Sequence, residues 1–233
     1  MDIKNKNMIS ENNIKNISQY KTPFYYYDIA LLQKTIDSVS KESTKYNYHV
    51  HYAFKANANS RIINTIKNSG LGADCVSGNE VKCAIENGFD SNKIVFAGVG
   101  KSDDEINYAL EKNIFCFNCE SMQELEVINE LAAKQNKTAS IALRINPNVD
   151  AHTHKYITTG LEENKFGINP YEFETVIEKL KSLPNIQLIG LHFHIGSQIT
   201  DLSPFKKLCT RVNEINTFFL HKGFDLPIIN VGG

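Results

Sequence analysis

From Thr22 to the last residue, short apolar runs rich in β-branched and aromatic side chains alternate with longer stretches of helical periodicity. That alternation constrains the fold more than any other feature, because it is the pattern of repeated βα units, in which strands are covered by helices that each bury one apolar stripe. Strands are expected at 48–56, 73–77, 94–98, 114–119, 139–146, 188–195 and 228–231. Helices are expected at 60–69, 79–87, 103–112, 121–135, 170–183 and 204–221. Several begin with capping chemistry. Ser102 precedes Asp103, Asp104 and Glu105, Ser121 stands three residues before Glu124, and Gly70, Gly88 and Gly223 follow other helical segments.

One series of seven strands and six intervening helices fits a parallel α/β barrel better than a dinucleotide fold. A doubly wound sheet shares the alternation but not the glycine fingerprint. Gly98-Val99-Gly100-Lys101 lacks the third glycine of a dinucleotide loop, and Gly100-Lys101-Ser102 has Val95 where a phosphate-binding loop needs its first glycine. An eight-stranded barrel needs about 250 residues, so the chain is read as stopping about one βα unit short.

The 233 residues, 42% apolar and 22% charged, suffice for one sizeable core. A net charge of -1 with interspersed signs offers no basic field to attract nucleic acid. No apolar run approaches the roughly 20 residues that span a bilayer, and the Asn- and Lys-rich opening has no signal-peptide core. The expectation is a cytoplasmic chain without membrane or nucleic-acid partners. It divides into a poorly ordered segment, 1–21, and an incomplete barrel, 22–233. The five cysteines, odd in number and set in apolar or helical patterns, read as reduced thiols.

In such a barrel, polar residues at the carboxyl ends of strands face the site. That rule selects Lys55, Asn57, Asp74, Ser77, Arg144, Asn146, His192, His194, Ser197, Gly232 and Gly233. Lys55 follows an apolar run, where a poorly solvated amine suits Schiff-base chemistry, although a strand-end lysine also reaches readily into solvent. His192 and His194 alternate on one strand, and His152 and His154 repeat the spacing in a polar stretch. Four histidines suggest a metal site, but no carboxylate accompanies them at ligand spacing and Arg144 brings a positive charge to the same rim. Cys116 and Cys119, three apart on a strand, point to opposite faces. Gly196-Ser197 and Gly232-Gly233 let backbone approach a phosphate closely, while Lys55 lies across the mouth.

Three strings carry a resemblance: Tyr52-Ala53-Phe54-Lys55-Ala56-Asn57, Gly72-Ala73-Asp74-Cys75-Val76-Ser77-Gly78-Asn79-Glu80 and His192-Phe193-His194-Ile195-Gly196-Ser197-Gln198-Ile199. They resemble diaminopimelate decarboxylases, relatives of ornithine and arginine decarboxylases with an alanine-racemase-like (β/α)8 TIM barrel. Phe96-Ala97-Gly98-Val99-Gly100-Lys101, Arg144-Ile145-Asn146-Pro147 and the stretch 158–168 favour the diaminopimelate branch. The resemblance runs from Thr22 to Gly233. Lys155 departs from it, standing where such proteins often have proline.

The resemblance implies pyridoxal 5'-phosphate as cofactor and decarboxylation of meso-diaminopimelate to L-lysine, a step of lysine biosynthesis. By matching motif, Lys55 corresponds to the covalent anchor, His194 to a ring stacked on the pyridine, Ser197 to a phosphate ligand, Arg144 to a basic neighbour of the ring and Asp74 to a polar one. Gly232 and Gly233 open a glycine run, and Asn57 and His192 are companions. The last barrel strand, a glutamate for the pyridine nitrogen, the remaining phosphate loop and a β-domain that completes a homodimer are expected outside the chain. Alternatives are decarboxylation of ornithine, arginine or carboxynorspermidine, racemisation on the same scaffold, or a non-catalytic remnant or half of a split enzyme. The 233 residues alone are expected to show little activity.

Overall fold

A computed structural model describes residues 15, 17–149, 166–197 and 199–232. Seven strands form one sheet: β1 (His51–Ala53), β2 (Gly72–Cys75), β3 (Ile94–Phe96), β4 (Cys116–Cys119), β5 (Ala139–Arg144), β6 (Ile186–His192) and β7 (Ile228–Asn230). All neighbouring pairs are parallel, and the strands lie side by side in sequence order.

That order separates the two folds which alternation leaves open. A doubly wound sheet reverses its strand order at a switch point and so covers both faces with helices. Without a reversal, every right-handed crossover lands on the same face, and the opposite face curls inward on itself. The sheet is seven strands of a parallel α/β barrel. Its outer face carries α2 (Ser60–Asn68), α3 (Gly78–Glu86), α4 (Asp103–Glu111), α5 (Met122–Lys134), α6 (Phe173–Lys181) and α7 (Ser203–His221).

One further helix, α1 (Ile29–Lys45), lies outside the expected series. Asp28 caps it, its carboxylate accepting from the Leu31 N–H at 2.9 Å. Only Ile36 is buried along its length, so its apolar stripe is too thin to stand out in the sequence. Elsewhere the strands, β4 excepted, end earlier than expected. The first run stops at Ala53, and Phe54–Ala56 forms a 3-10 turn, which moves Lys55 off the strand. The segment 170–183 likewise opens with a 3-10 turn, Pro170–Glu172, before α6 begins.

The pleat sends alternate residues to opposite faces. Ile94, Phe96, Phe117, Ile141 and Leu143 pack outward into the large core shared with the helices. Val95, Cys116 and Ala142 form a small separate cluster on the inner face, with Phe115 and Ile189 against it. Cys119 belongs to the outer core and Cys116 to the inner cluster, so the pair does face opposite ways. All five cysteines are free, and burial pushes the Cys116 thiol up to about 12 and raises Cys119 well above its ordinary value. No described helix is long and apolar enough to cross a membrane.

Candidate active site

Register along the inner face explains why polar groups collect at one end. Ala53 pairs with Asp74, Asp74 with Val95 and Val95 with Cys116. One step nearer the carboxyl ends, Asn118 pairs with Ala142, then Arg144 with His192 and His192 with Asn230. Parallel partners at one level share a face. Asp74 and Asn118 thus stand level with the small inner cluster of Val95, Cys116 and Ala142, and Arg144, His192 and Asn230 line up together towards the mouth.

Lys55 is exposed at this mouth, the solvent-reaching alternative of the two readings rather than the poorly solvated one. The reason is local: the chain leaves β1 at Ala53, and the 3-10 turn lifts Lys55 above the sheet, while Phe54 points into the core. Burial pushes Asp74 up to about 6, with the positive charge of Lys55 opposing and Glu80 adding to the rise. Asn57 does not turn to the mouth. Its side-chain oxygen accepts from the Asn59 N–H at 2.9 Å, ahead of α2. Ser77 is likewise a cap, accepting from the Glu80 N–H at 3.2 Å at the start of α3.

His192 is buried, and burial, with Arg144, His194 and Lys101 nearby, lowers it to about 3. His194 falls to about 4 through burial, then Arg144 and Lys55. Both rings are neutral near pH 7. Gly232 packs directly on His194. With φ at +67°, a Cβ there would lie 2.6 Å from the Phe193 carbonyl and 2.7 Å from His194 Nδ1. Its N–H is already committed, donating to Asn230 Oδ1 at 2.9 Å. Ser197 is exposed beyond the buried Gly196. Gly233, His152, His154 and Lys155 lie outside the described residues. Among the described residues no three His, Cys, Asp or Glu side chains gather closely enough to hold a metal ion.

Arg144 has partners that motif reading missed. Its guanidinium donates to Glu120 Oε2 at 2.9 Å and lies over the Phe166 ring, 5.3 Å from the centroid. Glu120 is buried at the end of β4, ahead of α5. Its signal in the sequence was slight, an acid directly after a strand in the Asn118-Cys119-Glu120-Ser121 run. Asn146, expected near the mouth, is buried and donates to Asn169 Oδ1 at 3.1 Å.

Four buried polar atoms of this mouth lack a hydrogen-bond partner: Asp74 Oδ1, Asn118 Nδ2, Glu120 Oε1 and His192 Nδ1. Such atoms cost about 1–3 kcal/mol each if left unmet, so their concentration at one place fits a polar, hydrogen-bonding ligand. Among the described residues two more such atoms, His51 Nε2 and Asn216 Oδ1, sit at the amino end of β1 and on α7.

Residues 30–233 match the family model described as pyridoxal-dependent decarboxylase, pyridoxal binding domain. The chain belongs to this family. Its pyridoxal-binding domain is 56% identical over 214 residues to the diaminopimelate decarboxylase of Bacteroides thetaiotaomicron, covering 91% of this chain and 55% of that one. The crystal structure of Helicobacter pylori diaminopimelate decarboxylase complexed with L-lysine superposes with a TM-score of 0.84 at 40% identity, over 93% of this chain and 55% of that chain. The arginine decarboxylase of Paramecium bursaria Chlorella virus is more distant, with a TM-score of 0.71 and 25% identity over 86% of this chain and 52% of that chain. The domain thus spans about half the length of the curated relatives it matches.

Proposed function

We propose that the barrel from Thr22 onward carries the lysine side of an active site that uses pyridoxal 5'-phosphate to decarboxylate meso-diaminopimelate to L-lysine. The observation that carries this reading is the grouping of an exposed primary amine, Lys55, with a buried carboxyl, Asp74, and a neutral imidazole, His194, in one mouth. Identity of 56% with a diaminopimelate decarboxylase, against 25% with an arginine decarboxylase, favours the substrate. A homodimer completes the proposal.

When bound, the pyridoxal ring accepts the electron pair left by the departing carboxylate. The chain's own residues then have separable tasks. Lys55 supplies the amine that holds the cofactor covalently, and its place on a turn above the sheet leaves it free to give way to a substrate amine. Asp74, near Lys55 and titrating near pH 6, holds or releases a proton on its carboxyl beside that amine. His194 offers an uncharged flat ring, and Gly232 keeps space beside it clear of a Cβ. Arg144, paired with Glu120, brings a guanidinium to the mouth. The Ser197 hydroxyl, past the tight Gly196 turn, suits a phosphate oxygen.

The test is direct. Incubation with pyridoxal phosphate, borohydride reduction and peptide mapping should place the label on Lys55, and Lys55→Ala should remove it while leaving the circular dichroism spectrum unchanged. Label on another lysine of the unaltered chain refutes the anchor. Carbon dioxide released by the full-length protein from ornithine or arginine, and not from meso-diaminopimelate, refutes the substrate.

A further inference from the structure

Arg144 is held from three directions. Glu120 Oε2 accepts from its guanidinium at 2.9 Å, and the Phe166 ring lies beneath it. Its backbone is pinned too, the carbonyl accepting from the Ile168 N–H at 2.8 Å. Gly167, with φ at +81°, packs so tightly there that a Cβ would come within 2.8 Å of the same carbonyl oxygen.

Glu120 is itself braced. Its N–H donates to Glu124 Oε2 at 2.7 Å, and Glu124 Oε1 accepts from Lys101 Nζ at 2.5 Å. Lys101 also donates to the carbonyls of Gly98 at 2.8 Å and Asn118 at 2.9 Å, so one ammonium ties the ends of β3 and β4 to the start of α5. Side-chain exposure is 1% for Lys101, 13% for Glu124, 5% for Glu120 and 12% for Arg144. Buried charges at this depth are costly unless paired with good geometry, and a fold has no need to place four of them together merely to hold a loop.

We infer that Glu120 is a positioning residue, which fixes the Arg144 guanidinium in the mouth and balances its charge there. The inference rests on the proposed function for what Arg144 faces, but its geometry does not depend on a cofactor. Lys101 and Arg144 are matched by Glu120 and Glu124, so the guanidinium reaches the mouth without excess positive charge. The groups that sense it are His192 and His194, from β6 and the loop after it, and Lys55 and Asp74 stand near each other at the ends of β1 and β2. An arginine held by one carboxylate has a defined plane and direction, whereas a released one sweeps many rotamers.

A simple staple between β4 and β5 would affect melting alone, so the experiment reads cofactor properties. In the full chain loaded with pyridoxal phosphate, Glu120→Gln is compared with Arg144→Gln and with the double variant. Glu120→Gln is expected to weaken cofactor binding about tenfold and to move the pH midpoint of the bound cofactor's visible absorbance to lower pH, since uncompensated positive charge disfavours protonation. In the Arg144→Gln background the same substitution is expected to change binding less than about twofold, because coupled residues are not additive. Glu120→Asp, which keeps the charge, should recover most of the shift in midpoint. Equal fold-changes in both backgrounds, or a lower melting temperature with an unmoved midpoint, overturn the inference. If Glu120→Gln does not fold, Glu120→Asp is compared in the two backgrounds instead, and equal effects again overturn it. Failure of the unaltered chain to fix the cofactor at Lys55 refutes the proposed function alone. The inference then stands or falls on the nuclear magnetic resonance titration of His194 without cofactor, which Glu120→Gln should move to lower pH and must not leave in place.

Discussion

On β2 to β6 the residues facing the helices, among them Phe96, Phe117 and Leu143, are apolar and buried, whereas their neighbours at the inner mouth are Asp74, Asn118, Arg144 and His192. Both sets belong to the same strands and differ only in which side of the pleat they occupy. The outer layer meets its packing needs within the chain. The inner mouth holds four buried polar atoms without partners and three groups whose ionisation is displaced from its ordinary range. Stability comes from the outer layer, and the strained chemistry of the mouth is tolerated because of it.

The division is most easily broken on the outer side. Phe96, fully buried between sheet and helices, should cost about 3–5 kcal/mol when changed to alanine, read as a lowered urea midpoint. A loss below about 1 kcal/mol would mean the outer layer is not the source of stability.

At the mouth the sign should reverse. Asp74 titrates higher when folded, near 6 against 3.8, so the folded state favours its protonated form. Its contribution is most favourable below about pH 4, declines as pH rises to about 6 and stays low above that. Asp74→Asn should therefore stabilise the cofactor-free chain at pH 7 by about 3 kcal/mol and remove that decline. His194 acts the other way. Its folded value near 4 lies below the ordinary 6.5, so its contribution is complete above about pH 6.5 and is lost as pH falls towards 4. Thermal melts of Asp74→Asn and His194→Ala, each set against the unaltered chain from pH 4 to 7, should show differences of opposite pH dependence, and parallel curves would refute the electrostatic contrast.

The smallest effect belongs to neither layer. Ser102 and Glu105 form a reciprocal cap at the start of α4, and Ser102→Ala should cost about 1 kcal/mol without altering cofactor binding. A change in binding from that substitution would show that the outer helices and the mouth are less separate than their packing indicates.

Much of this architecture is legible in the sequence because it is local. Short apolar runs mark the strands, and capping serines mark α4 and α5. Lys55 stands out for the same reason, as a lone charge after an apolar run. The helix α1 escapes notice because a single buried residue leaves almost no stripe. For Lys55 the sequence offered both a poorly solvated and a solvent-reaching amine, and the choice depends on where β1 stops pairing with β2.

The sequence by itself determined the repeated βα units and the motifs that group this chain with its relatives. Only the tertiary structure decided that the strands stand in sequence order, and which buried charges meet. Ser121 and Glu124 are spaced like a closed capping box, yet Glu124 turns its carboxylate to Lys101 and to the Glu120 N–H. Glu120 and Arg144, 24 residues apart, join at the mouth. Hydrophobic period is written within a few residues, whereas the choice of partner for a buried charge depends on which strand ends the curl of the sheet brings together.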